Sequence, residues 1–100
     1  TSGKFKKAEK YFLKHLKLEP NNTETNFKLG NLTLINENFS EAINFYSEVI
    51  TLSPEHHEAY LNRGYAFMKT NNMSEACADW IESNKKGNKI ARNNILIYCN

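Results

Sequence analysis

Residues 39–54 read FSEAINFYSEVITLSP, and this stretch decides the fold because its pattern recurs at a fixed interval. Residues 5–20, FKKAEKYFLKHLKLEP, lie 34 positions earlier, and residues 73–88, MSEACADWIESNKKGN, lie 34 positions later. The recurring residues are Phe5, Phe39 and Met73, then Ala8, Ala42 and Ala76, then Phe12, Tyr46 and Trp80, and finally Pro20 and Pro54. Gly30 and Gly64 are separated by the same 34 residues. A period of this length predicts stacked supersecondary units instead of one globular core.

Each unit has the periodicity of an amphipathic α-helix. Apolar residues recur at i, i+3, i+4 and i+7, which places them on one helical face. In the central unit they are Phe39, Ala42, Ile43, Tyr46, Val49 and Ile50. Breakers rich in Asn, Gly and Pro separate the segments, and Thr23 and Asn72 are candidate N-caps. The pattern predicts helices near residues 3–18, 23–36, 39–52, 57–70, 73–86 and 89–98.

The spacing resembles that of the tetratricopeptide repeat, which has an aromatic, Leu-Gly, an aromatic, Ala, an aromatic and Pro in this order. The first full copy supplies Asn26, Leu29-Gly30, Thr33, Ala42, Tyr46 and Pro54, and the second Tyr60, Arg63-Gly64, Phe67, Ala76, Trp80 and Asn88. The resemblance implies an all-α, right-handed superhelical solenoid of antiparallel helix pairs with about six helices. We expect one domain over residues 1–100. It comprises the second helix of a partial repeat (1–22), two full repeats (23–56 and 57–90) and a C-terminal capping helix (91–100).

The two ends of the chain predict different surroundings. The first helix would leave Phe5, Phe12 and Leu16 partly uncovered, so we expect the natural protein to continue upstream, or to self-associate through this helix. The closing segment resembles that of many bacterial family members and ends in an amphipathic helix with apolar Ala91 and Ile95. We therefore expect the C-terminal part of a longer, bacterial protein. Its compartment is left open, with a cytoplasmic location favoured.

The two cysteines, Cys77 and Cys99, lie among apolar neighbours on predicted helices. A free cysteine in that setting behaves as a small hydrophobic residue. The chain contains no CxxC spacing of the kind that indicates a zinc or redox site. The sequence thus predicts two free, buried thiols and no metal.

The sequence offers little support for catalysis. His56 and His57 are adjacent, whereas metal-binding histidines on a helix usually lie four residues apart on one face. Asp79 and Cys77 have no histidine nearby in sequence to act as a base. No glycine-rich phosphate loop is present. We expect a non-enzymatic protein without a cofactor.

The resemblance implies a concave groove, lined by the first helix of each pair, that binds peptides. The predicted groove residues mix aromatic, aliphatic, amide and cationic side chains: Phe27, Lys28, Asn31, Leu61, Asn62, Tyr65, Lys69 and Arg92. This set suits an extended or helical segment of a partner protein. The predicted function is an adaptor that binds a peptide or protein segment of unidentified sequence. The alternative is a structural module that mediates homo-oligomerisation of a longer parent protein.

One subgroup of the family holds the acidic C-terminus of chaperones with a carboxylate clamp of cations and asparagines. Asn31, Asn62 and Arg92 match that clamp, but Phe27 and Leu96 replace two of the cations that it needs. Strong charge-assisted capture of a terminal carboxylate is therefore not expected.

A lysine stripe runs along the first predicted helix. Lys7, Lys10, Lys14 and Lys17 lie on the side opposite its apolar residues. Such a stripe could contact phosphates or an acidic membrane. Because the net charge of the chain is only +2, a solvated helix face is the simpler interpretation, and we expect neither nucleic-acid nor membrane binding.

Overall fold

The structure is a computed structural model that describes residues 3–100. Six α-helices follow one another in this part of the chain: α1 Gly3–Leu18, α2 Thr23–Ile35, α3 Phe39–Leu52, α4 His57–Lys69, α5 Met73–Lys85 and α6 Lys89–Tyr98. Every helix predicted from the sequence is present, with ends that differ by at most one residue. None of the six is both long and apolar enough to span a membrane.

The helices pack as a linear array. α2 packs against α3 and α4 against α5, which makes two antiparallel helix pairs. α1 covers one side of α2, while α3 contacts α4 and α5 contacts α6. α2 also touches α4, so the first helices of the two pairs lie side by side. The fold is thus the all-α helical solenoid that the 34-residue period predicted.

Glycine allows the two helices of each pair to approach closely. A Cβ atom added at Gly30 would lie 2.6 Å from the ring of Tyr46, and one at Gly64 would lie 2.5 Å from Nε1 of Trp80. Tyr46 and Trp80 are fully buried and fill the volume that the missing side chains leave. Nε1 of Trp80 also donates to the carbonyl oxygen of Leu61, 3.2 Å away. The repeated glycine and aromatic therefore act as one packing unit.

Side-chain caps fix the start of the first helix in each pair. Oδ1 of Asn22 accepts from the backbone N–H of Thr25 at 2.9 Å, so Asn22, and not the predicted Thr23, is the N-cap of α2. Thr23 instead occupies the first helical position. Nδ1 of His56 accepts from Ala59 N–H in the same way and caps α4. Asn72 is the N-cap residue of α5, as predicted, but its side chain bonds to Thr70 and not to the helix.

The last helix begins where the sequence pattern predicted it. Oδ1 of Asn88 accepts from Ala91 N–H at 2.9 Å, so Asn88 is the N-cap and α6 starts at Lys89. Asparagine can cap the helix because it stands where the repeat pattern has proline, which lacks an equivalent side-chain acceptor. Ala91 is buried, as expected for the inner face of a capping helix, but the outer face exposes Ile90, Leu96 and Ile97. This outer face is thus less polar than the sequence analysis expected.

A disulfide joins Cys77 on α5 to Cys99, the C-cap residue of α6. The prediction of two free thiols is therefore wrong. The Cα atoms lie 5.8 Å apart, within the range that a disulfide can bridge. The close approach arises because α6 returns antiparallel to α5, which aligns two residues that are 22 positions apart in sequence.

Candidate functional site

The first helix of each pair, α2 and α4, and the final helix α6 build the candidate groove. α2 and α4 lie side by side, and the start of α6 is joined to the start of α4 by a contact of 3.0 Å between Nδ2 of Asn88 and Nδ1 of His57. Oγ of Ser83 in α5 also donates to the carbonyl oxygen of His57 at 2.7 Å. These bonds fix α4 between α2 and α6.

Two asparagines meet across the boundary between the helix pairs. Nδ2 of Asn62 on α4 donates to Oδ1 of Asn31 on α2 at 3.1 Å. The hydroxyl of Tyr46 on α3 donates to the same oxygen at 2.6 Å. Burial raises the pKa of the Tyr46 hydroxyl, so it keeps its proton and remains a donor. Three helices therefore hold the Asn31 side chain in one orientation.

This arrangement leaves one amide donor and one amide acceptor available. Nδ2 of Asn31 and Oδ1 of Asn62 have no hydrogen-bond partner among residues 3–100. Neither atom is sealed from solvent, because no side-chain nitrogen or oxygen of the described residues is both buried and unsatisfied. A neighbouring donor and acceptor match the N–H and C=O groups of a peptide backbone.

The remaining polar groove residues stay accessible. Tyr65 is 40% exposed, packs edge-on against Phe39 and has Nζ of Lys69 5.8 Å from its ring centroid. Lys28 is exposed and forms an ion pair of 3.0 Å with Glu24 one turn earlier on α2. Arg92 on α6 is exposed and forms no ion pair within the described part of the chain.

Two predicted groove residues point mainly into the core. The ring of Phe27 lies 4.6 Å from that of His56 and 5.9 Å from that of Tyr46, measured between centroids. Leu61 packs against the buried cluster that contains Trp80. Both side chains are half-buried, so they shape the groove wall more than they offer contact area.

Sequence reasoning missed the role of the Tyr46 hydroxyl. The spacing of Tyr46 predicts a core position, and its ring is buried. The available signal was the hydroxyl itself, since Phe12 and Trp80 occupy the equivalent positions without one. A buried tyrosine hydroxyl usually finds a hydrogen-bond partner, and the neighbouring polar position is Asn31.

The adjacent histidines both have structural roles. Nδ1 of His56 caps α4, and Nδ1 of His57 contacts the capping asparagine of α6. Oδ1 of Asn88 is already used by Ala91, so its Nδ2 faces His57. In each case the acceptor role of Nδ1 accounts for the residue without a catalytic function.

Comparisons with known proteins agree with this architecture. Residues 23–56 match the family model of the tetratricopeptide repeat. No curated protein matches the chain significantly. Among solved structures, the first TPR of Spaghetti (RPAP3), bound to the HSP90 peptide SRMEEVD, has a TM-score of 0.89 at 20% identity, over 96% of this chain and 78% of that one.

Two further structures share the fold. YrrB, described as a TPR protein with an unusual peptide-binding site, has a TM-score of 0.83 at 22% identity, and the match covers 89% of this chain and 47% of YrrB. A mutant of MamA has a TM-score of 0.68 at 16% identity, over 88% of this chain and 76% of its own. At these identities the likeness concerns the fold alone. Residues 23–56 thus match one tetratricopeptide repeat, and the chain as a whole shares the helical-array fold of these structures.

Proposed function

We propose that this protein is a non-catalytic interaction module that holds an extended segment of a partner protein in the groove of α2, α4 and α6. The observation that carries the proposal is the Asn31–Asn62 pair, which presents an unpaired donor and an unpaired acceptor at the boundary between two repeats. An extended segment has backbone groups that remain free to bond to both. The pair is also held in place before any ligand arrives, which reduces the entropy cost of binding.

The neighbouring side chains indicate which segments fit best. The half-exposed ring of Tyr65 provides an apolar anchor, and aromatic residues are enriched among the contacts that dominate binding energy. Lys69 beside it and Arg92 on α6 favour a segment with acidic side chains. Lys28 contributes less, because Glu24 already neutralises it.

The structural relatives support peptide binding as the general mode, since one is bound to an HSP90 peptide and another is described by its peptide-binding site. They do not extend the chaperone ligand to this protein. Two clamp positions hold Phe27 and Leu96, and the Phe27 ring packs against Tyr46 and His56. We therefore propose recognition through the peptide backbone and side chains instead of a terminal carboxylate.

The test is a selection of peptides from a random display library on the immobilised chain, followed by affinity measurement in solution. The variant Asn62→Ala, Tyr65→Ala, Arg92→Ala should bind the selected peptides at least about tenfold more weakly, because it removes an acceptor, an anchor and a cation. Circular dichroism checks that the variant retains its helical content.

The matched control is Asn44→Ala, Glu48→Ala, which changes two exposed residues on the opposite side of the α2–α3 pair. It should bind with the affinity of the wild type. Equal affinity of the groove variant and the wild type for every selected peptide would contradict the proposed site.

Self-association remains a second candidate. Apolar side chains are exposed at both ends of the array, among them Leu18 on α1 and Leu96 on α6. However, α1 and the segment 85–100 are both positively charged, which opposes head-to-tail stacking of two copies. Light scattering over a range of protein concentrations decides this point, because a constant monomer mass excludes association of this chain.

A further inference from the structure

Charge is distributed very unevenly along the array. α1, residues 3–18, contains six lysines and one glutamate, a net charge of +5. Residues 19–84 contain three cations and ten carboxylates, a net charge of −7, and residues 85–100 contain four cations and no carboxylate side chain. The overall charge of +2 therefore conceals a strongly basic helix at one end of the molecule.

Five of the α1 lysines form one continuous surface, the lysine face, which consists of Lys6, Lys7, Lys10, Lys14 and Lys17. Each helical residue advances by about 100°, so these five fall within an arc of about 100°. The face extends for about 16 Å along the helix axis at 1.5 Å per residue. All five side chains are exposed, and none forms an ion pair with another described residue.

The repeat shows that this surface points away from neighbouring helices. The positions 34 residues later, on α3, are Ser40, Glu41, Asn44, Glu48 and Thr51. All five are exposed although α3 is packed between α2 and α4. The lysine face thus occupies positions that the array leaves in solvent on its outer side.

We propose that the lysine face docks on an anionic lipid surface. Clusters of four to eight cations on one side of a helix are typical of binding to anionic headgroups. Residues within an arc of this width can all reach a common plane. A lipid surface therefore complements a convex, purely cationic face without requiring a pocket.

Other polyanions fit this surface less well. Lysine is depleted at protein–protein interfaces, which instead need an apolar or aromatic centre, and the lysine face contains no apolar residue within its arc. Single-stranded nucleic acid needs aromatic rings on which bases can stack. The aromatic residue next to the lysines, Tyr11, packs edge-on against Phe12.

The experiment measures co-sedimentation of the full chain with vesicles of phosphatidylcholine, with and without about one third phosphatidylserine. The chain should bind only the anionic vesicles, and binding should weaken strongly at about 0.3 M salt, where the screening length is short. The variant Lys10→Gln, Lys14→Gln should need about thirtyfold more lipid for half-maximal binding. The matched control, Lys85→Gln, Lys89→Gln, makes the same change in net charge on exposed residues elsewhere and should retain most of the binding.

Three outcomes would overturn the proposal. The first is that the wild type sediments no more with anionic than with neutral vesicles at low salt. The second is that the two double variants lose binding equally, because net charge and not the lysine face would then be responsible. The third is that a uridine-rich single-stranded RNA binds at a lower phosphate concentration than the anionic vesicles, which would reassign the face to nucleic acid.

Discussion

At position 63 the second repeat has arginine where the first has Leu29, and at position 79 it has aspartate where the first has Phe45. The two replacements compensate each other. Arg63 donates through Nε and Nη2 to the two carboxylate oxygens of Asp79, both at 2.8 Å, and through Nη1 to Ser47 Oγ at 3.0 Å. Burial raises the pKa of the Asp79 carboxyl, while hydrogen bonds from Arg63 act in the opposite direction. Two apolar residues of the first repeat are thus matched by a largely buried ion pair in the second.

Removing one member of this pair should cost much more than replacing both. Asp79→Ala leaves the arginine largely buried without its partner, so we expect the free energy of unfolding to fall by about 3–5 kcal/mol. The double variant Arg63→Leu, Asp79→Phe restores the residue types of the first repeat and should lie within about 1.5 kcal/mol of the wild type. Urea unfolding followed by circular dichroism measures both, and a double variant as unstable as Asp79→Ala would refute this explanation.

At the scale of elements, three helices end in the same way. After α2, α4 and α5 the chain passes through one residue in the left-handed region: Glu37 with φ 62°, Asn71 with φ 64° and Gly87 with φ 95°. In each case the next residue donates back to a carbonyl in the last turn of the helix, as Asn38 does to Thr33 at 2.8 Å. This is the Schellman arrangement, for which glycine is the preferred residue.

Glutamate is the least suitable of the three residues for this conformation. A left-handed non-glycine residue costs about 1–2 kcal/mol, and glycine recovers part of that at an entropic cost of about 0.5–1 kcal/mol. We therefore expect Glu37→Gly to raise the free energy of unfolding by up to about 1 kcal/mol. Asn71→Gly should gain less, since asparagine tolerates this region. Thermal unfolding of the two variants side by side tests the order, and an equal or larger gain for Asn71→Gly would contradict it.

At the scale of the whole molecule, the disulfide makes the two ends of the array unequal. Cys77–Cys99 covalently fixes α6 to α5, whereas α1 is held on α2 by packing and by a hydrogen bond of 2.8 Å between His15 and Thr25. In a repeat array each helix is stabilised mainly by its neighbours, so the tie acts locally at the α6 end. A persistent disulfide also favours an oxidising compartment over the cytoplasm that the sequence analysis preferred.

Reduction should therefore loosen α6 before the rest of the array. Closing a loop of 22 residues stabilises the folded chain by about 3 kcal/mol. We expect a reductant to increase amide hydrogen exchange in α6 most strongly, with a smaller change in α2 and α3. The variant Cys77→Ala, Cys99→Ala should show the loosened pattern in either condition and no response to reductant. Unchanged protection of α6 after complete reduction would contradict this role.

The sequence predicted the helices well because the recurring alanine and aromatic positions report directly on helix packing. Ala42 and Tyr46 are buried as their spacing required, and so are Ala76 and Trp80. The N-cap of α2 was misplaced by one residue, because Asn22 and Thr23 are both good capping residues and only the backbone conformation distinguishes them.

Contacts between successive units were harder to predict. The pairing of Cys77 with Cys99 depends on how α6 lies on α5. The absence of a CxxC motif excludes one type of metal or redox site but carries no information on that packing. The repeat did contain an indication of the pairing. Phe39 on α3 contacts Tyr65 on α4, and the positions 34 residues later are Met73 and Cys99. Cys77 follows Met73 by one helical turn, so the repeat places Cys99 near it. Likewise, the family resemblance implied that Phe27 and Leu61 line the groove, and only their packed neighbours show that both side chains are half-buried against the core.

The hydrogen bond from Asn62 to Asn31 joins two consecutive repeats, so its length depends on the angle between them. If the array straightens, the two amides separate; if it curls, they press together. A segment bonded to both would therefore act as a strut that stiffens the solenoid against bending. For the proposed peptide-binding groove, this means that ligand binding and bending of the array are coupled.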